Sequence, residues 1–226
     1  MGATRMYVFD AYGTLLDVDA AAREAAAEPG MEALKDHWLS IAKGWRERQL
    51  RYSWLRSMMG RYDDFWELTS RALDATLEEH GLASEEKVRD RLLSLYGELS
   101  PYEEVPGLLT DLKASGHQLA VLSNASPNML ETATKAAGIY QYFDALLSVD
   151  TLKCYKPTPA VYGLVTEHFG CNPSEVSFFS SNNWDISGAG AFGFKTIWVN
   201  RSGAAWDRLP GFPDKIVNSI TEGANG

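Results

Sequence analysis

Four apolar runs in this 226-residue chain end in residues able to do chemistry. Val8-Phe9-Asp10-Ala11-Tyr12-Gly13-Thr14 carries a carboxylate. Strand interiors disfavour aspartate, so Asp10 belongs at the strand's carboxyl end. Leu119-Ala120-Val121-Leu122-Ser123-Asn124-Ala125-Ser126-Pro127 ends in a hydroxyl and an amide just before a helix start. With the exposed N–H groups of that helix, this corner suits an anion. Lys153-Cys154-Tyr155-Lys156-Pro157-Thr158-Pro159 sets Lys156 before another helix, fixed by two prolines. Phe178-Phe179-Ser180-Ser181-Asn182-Asn183-Trp184-Asp185 ends in a polar loop with a second carboxylate. Taken singly, each is an ordinary turn, cap or solvated lysine. Taken in order, they bring a carboxylate, an anion corner, an amine and a polar loop to successive strand ends.

The elements that must position them follow from apolar run lengths. Met6–Phe9, Gln118–Leu122, Ala145–Val149, Val176–Phe179 and Thr196–Val199 are strand-length and bounded by turn residues. Helical patterns fill the gaps at Pro106–Ser115, Pro127–Ala137, Pro159–Phe169 and Trp184–Phe192. Gly116, Gly138, Gly170 and Gly193 stand where left-handed caps are expected, and Ser126 where an N-cap is. Alternation of this kind predicts a Rossmann-like α/β core, a parallel sheet with helices on both faces. From about Asp17 to Leu99 no strand is legible. Leu34, Trp38, Ile41 and Trp45 recur at helical spacing, continued by Tyr52, Leu55 and Met59. Phe65, Leu68, Ala72 and Leu77 form a second pattern ending at Gly81, and Glu85 to Tyr96 a third. A sheet connection needs far fewer residues. The stretch therefore reads as a helical-bundle cap inserted after the first strand, over the sheet's carboxyl edge, where open α/β sheets place their sites. The expected division is a core of residues 1–16 and 100–226 and a cap of residues 17–99. The tail Thr221–Gly226 reads as frayed.

Composition narrows the function. There are 30 acidic and 21 basic residues, a net charge of −9, which argues against a nucleic-acid binder. No apolar run approaches a membrane span, and Met1–Arg5 leads straight into the first strand with no leader pattern. Two cysteines, Cys154 and Cys171, are too few for a disulfide framework or a structural zinc site, and read as buried thiols in a cytoplasmic protein. The histidines (His37, His80, His117 and His168) lie outside all four motifs. Charge is uneven: Lys43, Arg46, Arg48, Arg51, Arg56 and Arg61 face only Glu47 in that stretch. Most of these read as a solvated helix face.

The four motifs, in this order and with a helical insert after the first, resemble the haloacid dehalogenase superfamily over essentially the whole chain. Asp10-Ala11-Tyr12-Gly13-Thr14, Gly44-Trp45-Arg46 through Arg56, Leu146-Leu147-Ser148-Val149-Asp150 and Ser180-Ser181-Asn182-x-Trp184-Asp185 resemble its (S)-2-haloacid dehalogenase family in particular. The resemblance implies that Asp10 is the nucleophile, that Arg46 and Asn124 take the halide, and that Ser123 helps hold the substrate carboxylate. It implies that Thr14 and Lys156 hold Asp10 and keep it ionised, with Tyr162 supporting the lysine. Ser180, Asn182 and Asp185 would position water and the lysine. Tyr12, Leu50, Phe65 and Trp184 would form an apolar wall. It implies a small 2-haloacid as substrate, no metal, no organic cofactor, and a homodimer. Glu47, next to Arg46, is expected to point to solvent.

Phosphatases of the same superfamily are the competing expectation. They carry an acid two residues after the nucleophile, as proton donor to the leaving oxygen. Tyr12 stands there, and a phenol is a poor substitute. The last motif also offers mostly Ser and Asn where Mg²⁺ would need carboxylates. Halide leaves as an anion and needs no proton donor, only donors where charge develops and a dry wall around the carbon. A non-catalytic binding protein on this fold is the remaining alternative.

Overall fold

The computed structural model describes residues 6–224. Six parallel strands form one sheet in the order β3-β2-β1-β4-β5-β6: β1 (Met6–Phe9), β2 (Gln118–Ser123), β3 (Ala145–Ser148), β4 (Val176–Ser180), β5 (Lys195–Val199) and β6 (Lys215–Val217). Every residue of the central β1 is buried, which explains its unbroken apolar run. The helices are α1 (Ala20–Ala27), α2 (Trp38–Met59), α3 (Phe65–Glu79), α4 (Glu86–Tyr96), α5 (Val105–Ala114), α6 (Pro127–Ala136), α7 (Pro159–Phe169), α8 (Asn183–Phe192) and α9 (Ile220–Ala224). The first five strands and the core helices fall where the apolar runs place them. Gly116, Gly138, Gly170 and Gly193 all have positive φ, and the Ser126 hydroxyl accepts the Met129 N–H.

One strand escapes the apolar pattern, and one expectation needs correcting. The sixth strand, Lys215–Val217, is too short for its pattern to register. The chain after it does not fray at Thr221: it forms α9 through Ala224, with Ile220 buried and the helix packed on α5. Residues 1–5 and 225–226, which include the leader region, lie outside the described residues. Helix α1 is built almost wholly of alanine, whose small side chains give a weak periodic signal but let it lie close against α4 and α2.

The helices between β1 and α5 pack on one another through buried polar groups as well as apolar ones. Gln49 Nε2 of α2 donates to Thr69 Oγ1 of α3 at 2.6 Å and to the Tyr96 hydroxyl of α4 at 3.0 Å, and Trp45 Nε1 donates to the Thr69 carbonyl at 2.8 Å. Satisfied buried groups of this kind fix one packing register. Tyr52 continues the stripe of α2, half-buried against the core, but Leu55 and Met59 do not. Leu55 is 43% and Met59 61% exposed, because the last two turns of the helix run past α3's covered face. The chain leaves β1 and returns to α5 side by side: Leu16 bridges Pro101, Asp17 N–H donates to Ser100 O, and Tyr102 N–H to Leu15 O.

Candidate active site

The site stands at the carboxyl edge of the sheet, where the ends of β1, β2 and β4 and the turn before α7 converge under α2. Asp10 directly follows β1 and is almost fully buried. Its Oδ2 accepts from Thr14 Oγ1 at 3.0 Å and from Asn182 Nδ2 at 2.9 Å, and its Oδ1 lies 3.1 Å from Lys156 Nζ. Gly13 makes the turn possible: at φ +89 a side chain is strained, and a Cβ would stand 3.0 Å from Arg46 Nη2.

Lys156 is 1% exposed and has a second carboxylate, Asp185 Oδ2, at 2.8 Å. Burial alone would push the ammonium pKa down, but Asp10 and Asp185 outweigh it and hold it above its ordinary value. Burial raises the Asp185 carboxyl to about 6, against the pull of Lys156 and with the push of Asp10. The Tyr162 hydroxyl donates to Asp185 Oδ1 at 2.8 Å. Tyr162 thus reaches Lys156 through Asp185. Burial, then the neighbouring Asp185, raises the Tyr162 phenol well above its usual value, so it remains a donor.

Asn182 joins two parts of the site. Its Nδ2 donates to Asp10, while its Oδ1 accepts from Arg46 Nη2 at 2.9 Å. Arg46 also donates to the Tyr12 carbonyl at 3.1 Å. Of the basic stretch, Arg48 pairs with Glu79 and Arg56 with Asp63, so Arg46 is the member turned onto the Asp10 loop. Glu47 is exposed, yet it lines the cleft shared by Arg46, Leu50 and Trp184, against the expectation that it points away to solvent. Ser180 Oγ accepts the Asn182 N–H at 3.1 Å, so it acts on the site through the Asn182 loop. Ser123 is buried and its Oγ accepts the Ala125 N–H. Asn124 is buried too; its Oδ1 accepts the Lys156 backbone N–H at 2.9 Å, which leaves its NH₂ end for an anion.

Two clefts flank Asp10. The larger, about 980 Å³, reaches Tyr12, Tyr62, Trp66, Tyr96 and Asp150. The smaller, about 460 Å³, is lined by Gly13, Arg46, Leu50, Asn182, Trp184 and Arg201. Tyr12 stacks on Tyr96 at 5.4 Å, and Trp184 meets Trp54 edge to face at the same distance. Tyr12, Leu50 and Trp184 therefore form walls. Phe65 lines neither cleft: it is buried against Tyr155, whose ring centre is 5.7 Å away, because its place in the first turn of α3 points it at the loop before Lys156. Cys154 and Cys171 are half-buried, not fully buried, with burial raising both thiols.

Two contributors escape the motif reading. Ser181 N–H donates to Thr14 Oγ1 at 2.8 Å, and its Oγ donates to the Gly13 carbonyl at 2.8 Å. Arg201, just beyond β5, donates to the Thr14 carbonyl at 3.0 Å. The signal was available: Val199-Asn200-Arg201 is a fifth apolar strand ending in polar residues. Among the described residues no three His, Cys, Asp or Glu are grouped to hold a metal ion, and the two buried carboxylates share one ammonium instead.

This arrangement is a buried, multiply held carboxylate on a Rossmann-like sheet beneath a helical cap. The chain belongs to the haloacid dehalogenase-like hydrolases, whose family model matches residues 4–193, and within them to the (S)-2-haloacid dehalogenases. It is 48% identical over 201 residues to (S)-2-haloacid dehalogenase 1 of Pseudomonas sp. strain CBS-3, covering 89% of this chain and 86% of that one. It is 46% identical to (S)-2-haloacid dehalogenase 4A of Burkholderia cepacia, covering 88% and 84%. The L-2-haloacid dehalogenase of Xanthobacter autotrophicus, solved with chloropropionic acid covalently bound, superposes with a TM-score of 0.86 at 36% identity, over 97% of this chain and 96% of that one. The chain is an enzyme of this hydrolase family.

Proposed function

We propose that this enzyme converts (S)-2-haloacids to (R)-2-hydroxy acids and halide. The observation that carries the reading is the Asp10 carboxylate, buried yet held by Thr14, Asn182 and Lys156. One of its oxygens attacks C2 of the substrate in line with the departing halide, which inverts the carbon and leaves an ester on Asp10. Water then attacks the ester carbonyl carbon and frees the hydroxy acid, splitting one difficult step into two. Arg46 and the Asn124 amide receive the halide, where negative charge appears only as the bond breaks. Ser123 and the N–H groups at the start of α6 hold the substrate carboxylate. Ser180, through Asn182, and Asp185, through Lys156, keep the water and the nucleophile placed. Tyr12, Leu50 and Trp184 keep bulk water from the carbon. No step in this scheme calls on a metal or an organic cofactor.

Residues 17–99 act as the cap and residues 1–16 with 100–226 as the core, a division supported by the paired crossings at Leu16 and Pro101. The partner is the small haloacid, with a second copy of the chain on the cap. Leu55, Met58 and Met59 present a contiguous exposed apolar face on the last turns of α2, with Arg56 and Arg61 at its edge. A mass of twice the chain in light scattering, reduced to one by Met58→Asp with Met59→Asp, tests the homodimer. Among the described residues no helix is long and apolar enough to cross a membrane, and two unpaired thiols suit the reducing cytoplasm.

The test of the reading is halide release from the two enantiomers of 2-chloropropionate, with and without chelator. Release from the (S) form alone, unchanged by chelator, is expected. Chelator-sensitive release of phosphate from small phosphate esters, without halide release, would replace the reading with the phosphatase one.

A further inference from the structure

Arg201 has no hydrogen bond to Asp10, but it lines the smaller cleft, and its guanidinium reaches both the Gly13–Thr14 turn and the segment that returns from the cap. Its Nη2 donates to the Thr14 carbonyl at 3.0 Å, and its Nη1 lies 3.4 Å from the Gly13 carbonyl. Its Nε and Nη2 grip Glu104 Oε1 at 3.1 and 2.9 Å. Its plane lies over the Tyr102 ring, 3.8 Å from the ring centre. Tyr102 N–H in turn donates to Leu15 O. Tyr102 and Glu104 lie on the segment that returns from the cap, and Gly13 to Leu15 on the segment that leaves for it.

The base of this clamp is rigid. Asn200 is buried beside β6, its N–H donating to the Val217 carbonyl at 2.8 Å. Its side chain closes the following loop by accepting from Ala204 N–H and donating to Ala204 O, each at 2.9 Å. A planar fork with five donors can hold two carbonyls and a carboxylate at once, which a lysine cannot. The next link is chemical: the Thr14 carbonyl that Arg201 holds belongs to the residue whose Oγ1 bonds Asp10 Oδ2.

We infer that Arg201 is a positioning residue for the nucleophile, tying the cap hinge at Tyr102 and Glu104 to the turn that aims Asp10. The inference rests on the dehalogenation reading and names a residue which that reading does not use. Glu104 cancels the charge of Arg201, so the pair adds little field at Asp10 and its effect is on geometry. Small errors in the aim of a nucleophile cost large factors in rate, whereas binding of the substrate carboxylate, at the β2 corner, is left alone.

The experiment measures single-turnover halide release from (S)-2-chloropropionate, KM and the thermal midpoint for wild type, Arg201→Ala, Arg201→Lys and Glu104→Gln. Arg201→Ala is expected to slow halide release by roughly tenfold to a hundredfold with KM within about twofold. Arg201→Lys recovers part of the rate at most, and guanidinium added at low millimolar concentration restores part of it to Arg201→Ala. Glu104→Gln, which keeps the bonds to Gly13 and Thr14 but loosens the other end of the fork, slows the same step by a smaller factor. If Arg201→Ala fails to fold, Arg201→Lys and Glu104→Gln carry the test. A lowered thermal midpoint with wild-type halide release in the folded variants would make Arg201 a structural brace only and overturn the inference. A raised KM with unchanged turnover would overturn it as well. Absence of halide release from the wild type would refute the dehalogenation reading instead.

Discussion

Lys156 holds Asp185 Oδ2 at 2.8 Å and Asp10 Oδ1 at 3.1 Å, one buried ammonium between two buried carboxylates. The geometry holds and aims the Asp10 carboxylate in a nearly dry site. It also makes the lysine costly to remove, because both partners would be left buried with uncompensated charge. Lys156→Met is expected to lose about 3–5 kcal/mol of stability and all measurable halide release. Denaturant unfolding together with a halide assay checks both parts.

The same cluster sets a pH dependence. Asp185 is raised to about 6, first by burial and then by Asp10, against the pull of Lys156. Between the unfolded carboxylate range near ~4 and about 6, the folded protein keeps a proton that the unfolded chain has released. This contribution to stability is therefore full below ~4 and is lost as pH rises towards 6. Activity runs the other way, since only the ionised carboxylate holds the lysine. Turnover is expected to fall on the acid side with a midpoint near 6, and Asp185→Asn to lose both that limb and most of the turnover. A kcat profile between pH 4.5 and 8 that shows no acid limb in the wild type would count against this assignment.

Arg46 bonds Asn182 and the Tyr12 carbonyl in the resting site. On the proposed reading its work begins when halide charge appears, so its loss should be read in turnover and not in folding. Arg46→Ala is expected to cost about 3–4 kcal/mol of barrier, with the thermal midpoint moved little because the side chain is only half-buried. Wild-type turnover in this variant would assign the halide to another cation of the smaller cleft.

Gly188 shows how closely α8 must approach α7. A Cβ there would stand 2.5 Å from the Tyr162 hydroxyl and 2.7 Å from Pro157 Cβ. Gly188→Ala must displace Tyr162, the donor to Asp185 Oδ1, or the Lys156–Pro157 segment. A loss of about 1–3 kcal/mol in stability is expected, with a larger loss of turnover than a remote variant of equal stability shows.

Particular residues show what the sequence could and could not reveal. Asp10 is legible because a charged residue at the end of an apolar strand contradicts its surroundings, whereas Lys156 and Asp185 are legible only through the order of the four motifs. The glycine caps were legible because the left-handed conformation favours one residue type. Phe65 is placed by periodicity, which marks the buried face of a helix without saying what covers it; here Tyr155 does. Leu55 and Met59 keep helical spacing but are exposed, because spacing marks a face and not where its cover ends. Arg201 and Ser181 act through backbone carbonyls, and a contact to a carbonyl leaves no trace in the identity of the residue contacted.

The central claim is that Asp10 attacks carbon. One turnover of (S)-2-chloropropionate in ¹⁸O water, with enzyme in excess, measures it directly by mass spectrometry of the Asp10 peptide and of the product. In the covalent route the product hydroxyl oxygen comes from Asp10, and solvent oxygen enters the Asp10 carboxylate when the ester is cleaved. The account therefore predicts label in Asp10 and none in the first-turnover hydroxyl. Label in that hydroxyl, with Asp10 unlabelled, would mean that water attacks C2 directly and would contradict the account.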